Sequence, residues 1–440
     1  MNPVNRRGFL GILGATAATA TLAGCAGSGD SGSGGGSGSG SGDANTITFW
    51  SNHPGSSKDT EQQLIDTFQK ENSGLKVNLV DGGKDYEEVQ QKLNTALSGN
   101  DVPDVVVVSD VTWFNFALNK QITPLDDLFA KAGVDTGDYV DSLLGDYVLD
   151  GKHYGIPYAR STPLFYYNKE VWQKAGLPDR GPNDWNEFAE WAPKIQQAIG
   201  DGKHAIGLYD GAHYLDWTTQ NMIWNEGGAY SKEWDCTFTD DKTVAGIEKL
   251  KKLNDDKFLV VSKDPVSEFG AGLVACTAIS TGSLSTAKKS AKFDFGTAFL
   301  PGAREHKSCP TGGAGLAIPA KISDERKLNA LKFINSLTST QSTAIFAKAT
   351  GYMPVRKSAK EAQEVKQYLE ETPQARTAIE QLDFTRPQDN ARVLVPNGGK
   401  RIGGALDKIL AGGDIKQTME GVQKETQDII DSQLKPKLGK

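Results

Sequence analysis

Residues 158–169 read Tyr-Ala-Arg-Ser-Thr-Pro-Leu-Phe-Tyr-Tyr-Asn-Lys, and their reading decides the fold. An apolar-leaning run, residues 153–157, precedes them after the turn Asp150-Gly151-Lys152. Ser161 and Thr162 are small hydroxyls, Pro163 stiffens the chain, and residues 164–167 favour a β-strand. After Asn168 the pattern turns helical. A chain that leaves one lobe and enters another looks like this, and domain junctions are where concave ligand pockets form.

The bulk numbers agree with two lobes. A chain of 440 residues exceeds one ordinary hydrophobic core. Hydrophobic content of 38% and charged content of 23% describe a soluble globular protein. A net charge of −7 argues against a nucleic-acid partner. It leaves room for an anionic small ligand, because one well-placed Arg binds a phosphate or carboxylate against the global field. The five His (His53, His153, His204, His213, His306) show no metal-binding spacing, and no G-x-S-x-G elbow follows a strand. No metal, cofactor or catalytic centre is therefore expected, and an exported phosphodiester hydrolase is disfavoured.

Residues 1–24 read as an export signal. Arg6-Arg7 precedes Gly8-Phe9-Leu10 and a short, weakly apolar run without acidic residues. This looks like a twin-arginine signal, with the general secretory route left open. Leu22-Ala23-Gly24-Cys25 resembles the bacterial lipobox, which makes Cys25 the expected lipid acceptor and membrane anchor. Residues 25–44 are a flexible Gly/Ser tether. The expected location is the outer face of the cell membrane. Cys236, Cys276 and Cys309 remain, and an exported protein can pair two of them; which two stays open.

The folded chain starts with alternating strands (46–50, 75–80, 103–109) and helices (59–71, 86–98). Four consecutive valines, 105–108, suit the middle of a parallel sheet covered on both faces. Ligands of such sheets sit beyond the carboxyl ends of the strands, which selects Trp50, Tyr86, Asp110 and Trp113. Core packing competes for each aromatic, and a helix N-cap role competes for Asp110. Residues 311–319 carry three Gly within four residues and read as a return crossing. Residues 351–354 read as a third crossing. The remainder, 358–434, is mostly helical, with a Gly-rich break at 397–404 containing Lys400 and Arg401. The expected lobes are 45–157 with 313–352, and 158–312 with 353–440.

Several stretches together carry a family resemblance: Phe49-Trp50, Tyr86-Glu87, Ser161-Thr162-Pro163, Tyr166-Tyr167-Asn168-Lys169, Ser280-Thr281-Gly282-Ser283, Gly312-Gly313-Ala314 and Gly351-Tyr352-Met353-Pro354. In order and spacing the chain resembles the extracellular solute-binding proteins of bacterial ABC importers, maltose-binding-like cluster. Within that cluster it resembles the branch that binds sn-glycerol-3-phosphate and glycerophosphodiesters. The resemblance implies an α/β, two-lobed fold of the type II periplasmic-binding class, with the cleft between lobes joined by about three segments. It implies a monomeric receptor that hands a small polar solute to permease subunits. The ligand residues it implies are Tyr86, Asp110, Ser161, Ser280, Gly313, Tyr352 and Arg401. An enteric relative carries two Trp where this chain has Ala212 and Leu215, so the pocket is either wider or refilled by Tyr214 or Trp217. A carbohydrate ligand is the alternative, motivated by Trp50, Trp113, Tyr214 and Trp217, since aromatic faces suit sugar rings. Arg160 stands open between a second phosphate contact and an ion pair at the cleft rim.

Overall fold

The computed structural model describes residues 43–99 and 101–439. The export signal and Cys25 lie outside the described residues. Ten strands build two five-stranded sheets: β1 (Thr46–Ser51), β2 (Lys76–Asp81), β3 (Val105–Ser109), β4 (Ile156–Ser161), β5 (Pro163–Asn168), β6 (His204–Tyr209), β7 (Leu259–Ser262), β8 (Val274–Ser280), β9 (Phe295–Ala298) and β10 (Gly312–Ala317). The first sheet runs β2-β1-β3-β10-β4 and the second β7-β6-β8-β5-β9. In the first, β2, β1 and β3 are parallel, and β10 is antiparallel to both β3 and β4. The valines of β3 are fully buried in the sheet centre, as their two apolar faces require.

β4 and β5 belong to different sheets, and only Thr162 separates them. Pro163 has no amide hydrogen to continue the β4 ladder, and it holds the preceding residue extended. The chain returns to the first sheet at β10, beside β4: Gly312 faces Ser161 and Gly313 faces Arg160. Met353 bridges to Arg160 from the third side. Three segments thus run together where the lobes meet.

Each lobe has its own core. Phe49, Phe68 and Phe333 meet edge to face in the first, with centroids 5.1–5.6 Å apart. Phe165, Trp172, Trp185 and Phe188 anchor the second. Helix α1 (Lys58–Glu71) buries Leu64, Ile65 and Phe68, and α2 (Tyr86–Ser98) buries Val89, Leu93 and Leu97. Both follow the 3.6-residue period of an amphipathic helix.

Three expectations differ from the structure. Residues 397–404 are not a break but open the helix α4 (Gly398–Leu410). A glycine costs a helix about 1 kcal/mol relative to alanine, so the run misreads as a turn. Here the glycines permit contact: a side chain at Gly398 would strike the Ala391 and Arg392 carbonyls, and one at Gly403 the Gly211 carbonyl. The third crossing comes after residues 351–354, because Met353 and Val355 still pack in the first core. Gly351, at φ +96°, is the left-handed C-cap of the helix Thr340–Thr350. Finally, residues 353–440 do not all belong to the second lobe. Ile430 and Leu434, one helical turn apart, pack in the first core.

Candidate functional site

A cavity of about 880 Å³ opens between the two sheets, within the range typical of small-molecule sites. The first lobe contributes the 52–56 loop after β1, Asp85 to Glu87 after β2, and Ser109 to Thr112 after β3. The second contributes Tyr209 at the end of β6, Ser280 at the end of β8, and the start of α4. Apart from α4, these are carboxyl ends of strands in both lobes, where parallel α/β sheets expose their loops.

Of the eleven candidate ligand residues, eight line this cavity: Tyr86, Asp110, Ser161, Ser280, Gly313, Tyr352, Tyr214 and Trp217. Tyr86 opens α2 behind its N-cap Asp85, and its hydroxyl lies 3.5 Å from that of Tyr352. Burial raises the pKa of both phenols, so both remain neutral donors. Ser280 Oγ accepts the Gly282 amide at 3.1 Å, which leaves its own proton for a ligand. Gly313 sits at φ +91° beside the bulge in the β10–β4 ladder; a Cβ there would collide with the Ala159 carbonyl.

The other three candidates lie elsewhere. Trp50 is buried, with the Lys92 ammonium 4.4 Å above its ring. Trp113 is buried against Phe114 and Tyr147. Both are core residues. Arg401 is turned away from the cavity: its Nε donates to Glu425 at 2.8 Å and its Nη2 to the Pro396 carbonyl at 3.1 Å. Arg160 is neither a cleft nor a rim residue. It is fully buried and held by Asp146 and Tyr147. Cys236, Cys276 and Cys309 are free thiols, so no pair forms among them.

The buried cation among the lining residues is Arg392, which the sequence reading passed over; Lys84 and Lys400 also line the cavity. Arg392 is 3% exposed. Its Nε donates to Asp216 Oδ2 at 2.6 Å, and its Nη1 lies 3.6 Å from Asp110 Oδ2. Burial opposes the charge, but Asp216 and Asp110 outweigh it and hold the guanidinium above its ordinary pKa. Helix α3 (Leu215–Asn225) explains the placement. Asp216, Gln220 and Trp224 are spaced by four residues on one face, and all three bond the 388–392 segment: Asp216 takes Arg392, Gln220 accepts the Asp389 amide at 3.1 Å, and Trp224 donates to Asp389 at 3.1 Å.

Beside Arg392 the cavity wall is the first turn of α4, residues 398–400. Its N-cap Asn397 makes no side-chain cap and no acidic residue lies in that turn. The Gly398 amide is taken by the Val395 carbonyl at 2.9 Å, and amides that a helix start leaves unsatisfied favour an anion. Lys400 adds an exposed ammonium there. Around Tyr214 the chemistry is opposite. Tyr209 and Tyr214 stand at 87° with centroids 5.6 Å apart. Glu87, which forms no ion pair among the described residues, acts electrostatically on Tyr214, and Asp264 acts on Tyr209. Ala212 lines the cavity and Leu215 packs in the second core. Tyr214 and Trp217 occupy the same wall, Trp217 tied to the Thr311 carbonyl at 2.8 Å.

Residues 63–373 match the family described as bacterial extracellular solute-binding protein. The sn-glycerol-3-phosphate-binding periplasmic protein UgpB of Escherichia coli (strain K12) is 28% identical over 357 residues, covering 77% of this chain and 80% of the relative. The crystal structure of UgpB from Mycobacterium tuberculosis in complex with glycerophosphocholine is 50% identical, with a TM-score of 0.86 over 88% of this chain and 99% of that one. The GacH receptor of Streptomyces glaucescens, 22% identical, shares the fold with a TM-score of 0.75 over 88% of this chain and 98% of the receptor.

Proposed function

Since the chain belongs to the bacterial extracellular solute-binding protein family, we propose that it closes its lobes on a glycerophosphodiester and delivers it to an ABC permease. One observation carries the reading. Arg392, paired to Asp216, stands with Lys400 and the start of α4, which has no side-chain cap, on one wall, and hydroxyls from both lobes (Ser161, Tyr86, Tyr352, Ser280) line the same cavity. The phosphate is held by that wall, and the glycerol hydroxyls are accepted by Asp110. The alcohol group attached to the phosphate extends toward Tyr209 and Tyr214. A cationic alcohol such as choline suits their rings and the carboxylates of Glu87 and Asp264, with cation–π attraction worth about 0.5–2 kcal/mol. Glycerophosphocholine bound to the Mycobacterium tuberculosis relative supports this ligand class.

Contacts from both lobes make ligand favour the closed state, so binding and closure are one population shift. The receptor works as a monomer, held at the outer membrane face by lipid on Cys25. The carbohydrate alternative loses two of its four aromatics, since Trp50 and Trp113 are core residues. Calorimetry with glycerophosphocholine, glycerol-3-phosphate and a panel of oligosaccharides tests the reading. Glycerophosphocholine is expected to bind tightest. Tight binding of an oligosaccharide, with no heat from either phosphoglycerol compound, overturns it.

A further inference from the structure

We infer that Gln388 is the positioning residue that couples the two lobes at the ligand site. It is 8% exposed and does not line the cavity. Its amide nitrogen donates to Asp110 Oδ2 at 2.6 Å, and Asp110 follows β3 in the first lobe. Its amide oxygen accepts Arg392 Nη1 at 2.5 Å and Gln220 Nε2 at 3.3 Å, both held to α3 in the second lobe. One side chain therefore orients the acid of one lobe and the cation of the other. A neutral planar group with a donor and an acceptor does this. The site needs a donor toward a carboxylate and an acceptor toward a guanidinium on the same planar group, and Gln supplies both. A carboxylate would repel Asp110, and an apolar group would leave Asp110 and Arg392 each short of a buried partner.

The consequence is that the cross-cleft bond is built into the chain. Gln388 holds one oxygen of Asp110, leaving the other for a ligand hydroxyl, and it draws the lobes toward the geometry that ligand completes. The inference rests on the phosphoglycerol reading for the roles of Asp110 and Arg392, but the lobe coupling itself does not.

The test compares the purified wild-type protein with Gln388→Leu and Gln388→Glu. Calorimetry with glycerophosphocholine reads affinity between pH 5 and 8. Small-angle scattering of the ligand-free protein reads the radius of gyration, and thermal melting reads folding. Gln388→Leu is expected to weaken binding by about ten- to a hundredfold and to enlarge the ligand-free particle, while still melting cooperatively. Gln388→Glu carries the distinguishing signature. Position 388 faces Asp110 and Arg392, with Asp216 behind Arg392 and Asp389 and Arg386 on its own segment. Burial and Asp110 raise the new carboxyl's pKa against the opposing pull of Arg392. Protonated, it replaces the amide, so affinity is near wild type at low pH and falls as pH rises. A merely structural role gives no such profile.

Wild-type affinity and particle size in Gln388→Leu, or a Gln388→Glu profile parallel to wild type, overturn the inference. If the wild-type protein binds no phosphoglycerol compound, the functional reading fails. Scattering then decides the lobe coupling alone, unchanged size in Gln388→Leu refuting it and enlargement upholding it.

Discussion

Replacing Arg392 by Met removes the guanidinium and keeps most of the apolar stem. In the intact protein Arg392 lies 2.6 Å from Asp216 and 3.6 Å from Asp110, both in the cleft wall. Two effects follow, and they are separable. Removing one member of a buried pair leaves an uncompensated carboxylate, which costs about 3–5 kcal/mol of stability. Part of that cost is relieved because burial already raises the Asp216 pKa, so Asp216 takes up a proton in the variant. The second effect is on binding: a charge-assisted hydrogen bond to phosphate contributes about 1.5–3 kcal/mol, or roughly ten- to a hundredfold in affinity. The double variant Arg392→Met with Asp216→Asn restores neutrality, so it should recover melting temperature without recovering affinity. The control is Arg401→Ala. Arg401 points away from the cavity onto Glu425 and the Pro396 carbonyl, with its own side chain 11% exposed, so the change lowers stability but binding should stay within about threefold. Calorimetry with glycerophosphocholine and thermal melts measure all four proteins. Wild-type affinity in Arg392→Met, together with lost affinity in Arg401→Ala, would refute the assignment of the cavity cation.

Gly313→Ala forces a side chain into the left-handed region and against the Ala159 carbonyl; a loss of about 2–4 kcal/mol by denaturant unfolding is expected. Trp113→Ala should cost about 3–5 kcal/mol of stability while the folded protein keeps its ligand affinity, which melts and calorimetry read separately. Tyr214→Ala should weaken glycerophosphocholine severalfold and leave glycerol-3-phosphate nearly unchanged, because the ring faces only the alcohol end of the proposed ligand. Asp389 supplies a pH test. Burial raises its carboxyl pKa to about 6 in the folded protein, above its unfolded value of about 3.9. The folded state therefore holds its proton longer, and its contribution to stability is fully present below the unfolded value and lost as pH rises through about 6. Asp389→Asn should flatten the stability profile between pH 4 and 6 by about 2–3 kcal/mol, as read by denaturant titration.

The site was legible where backbone position alone decides exposure. Tyr86 and Asp110 lie just past carboxyl ends of strands, and the strand-end rule reaches them without side-chain geometry, whereas Ser161 and Ser280, also at strand ends, were implied by the family resemblance. The same rule misplaces Trp50 and Trp113, which sit at strand and helix ends but point into the core. Side-chain direction also separates Lys400 from Arg401. A helix turns about 100° per residue, so Lys400 faces the cavity while its neighbour reaches Glu425. Arg392 was hidden for a different reason. Its four-residue helix, Asn390–Val393, has no pattern of its own and is positioned by α3, some 170 residues earlier in the chain.

By itself the sequence determined an α/β first lobe and a crossing between lobes within residues 158–169. Local causes suffice there: buried valines place β3 in the sheet centre, and a proline ends the β4 ladder. Only the tertiary structure decided that Arg392 lines the cavity while Arg401 does not, that residues 398–404 are helix, and that Gln388 joins Asp110 to Arg392. Each depends on contact between segments remote in sequence, whose side chains or bare glycine backbones are complementary only once both lobes are folded.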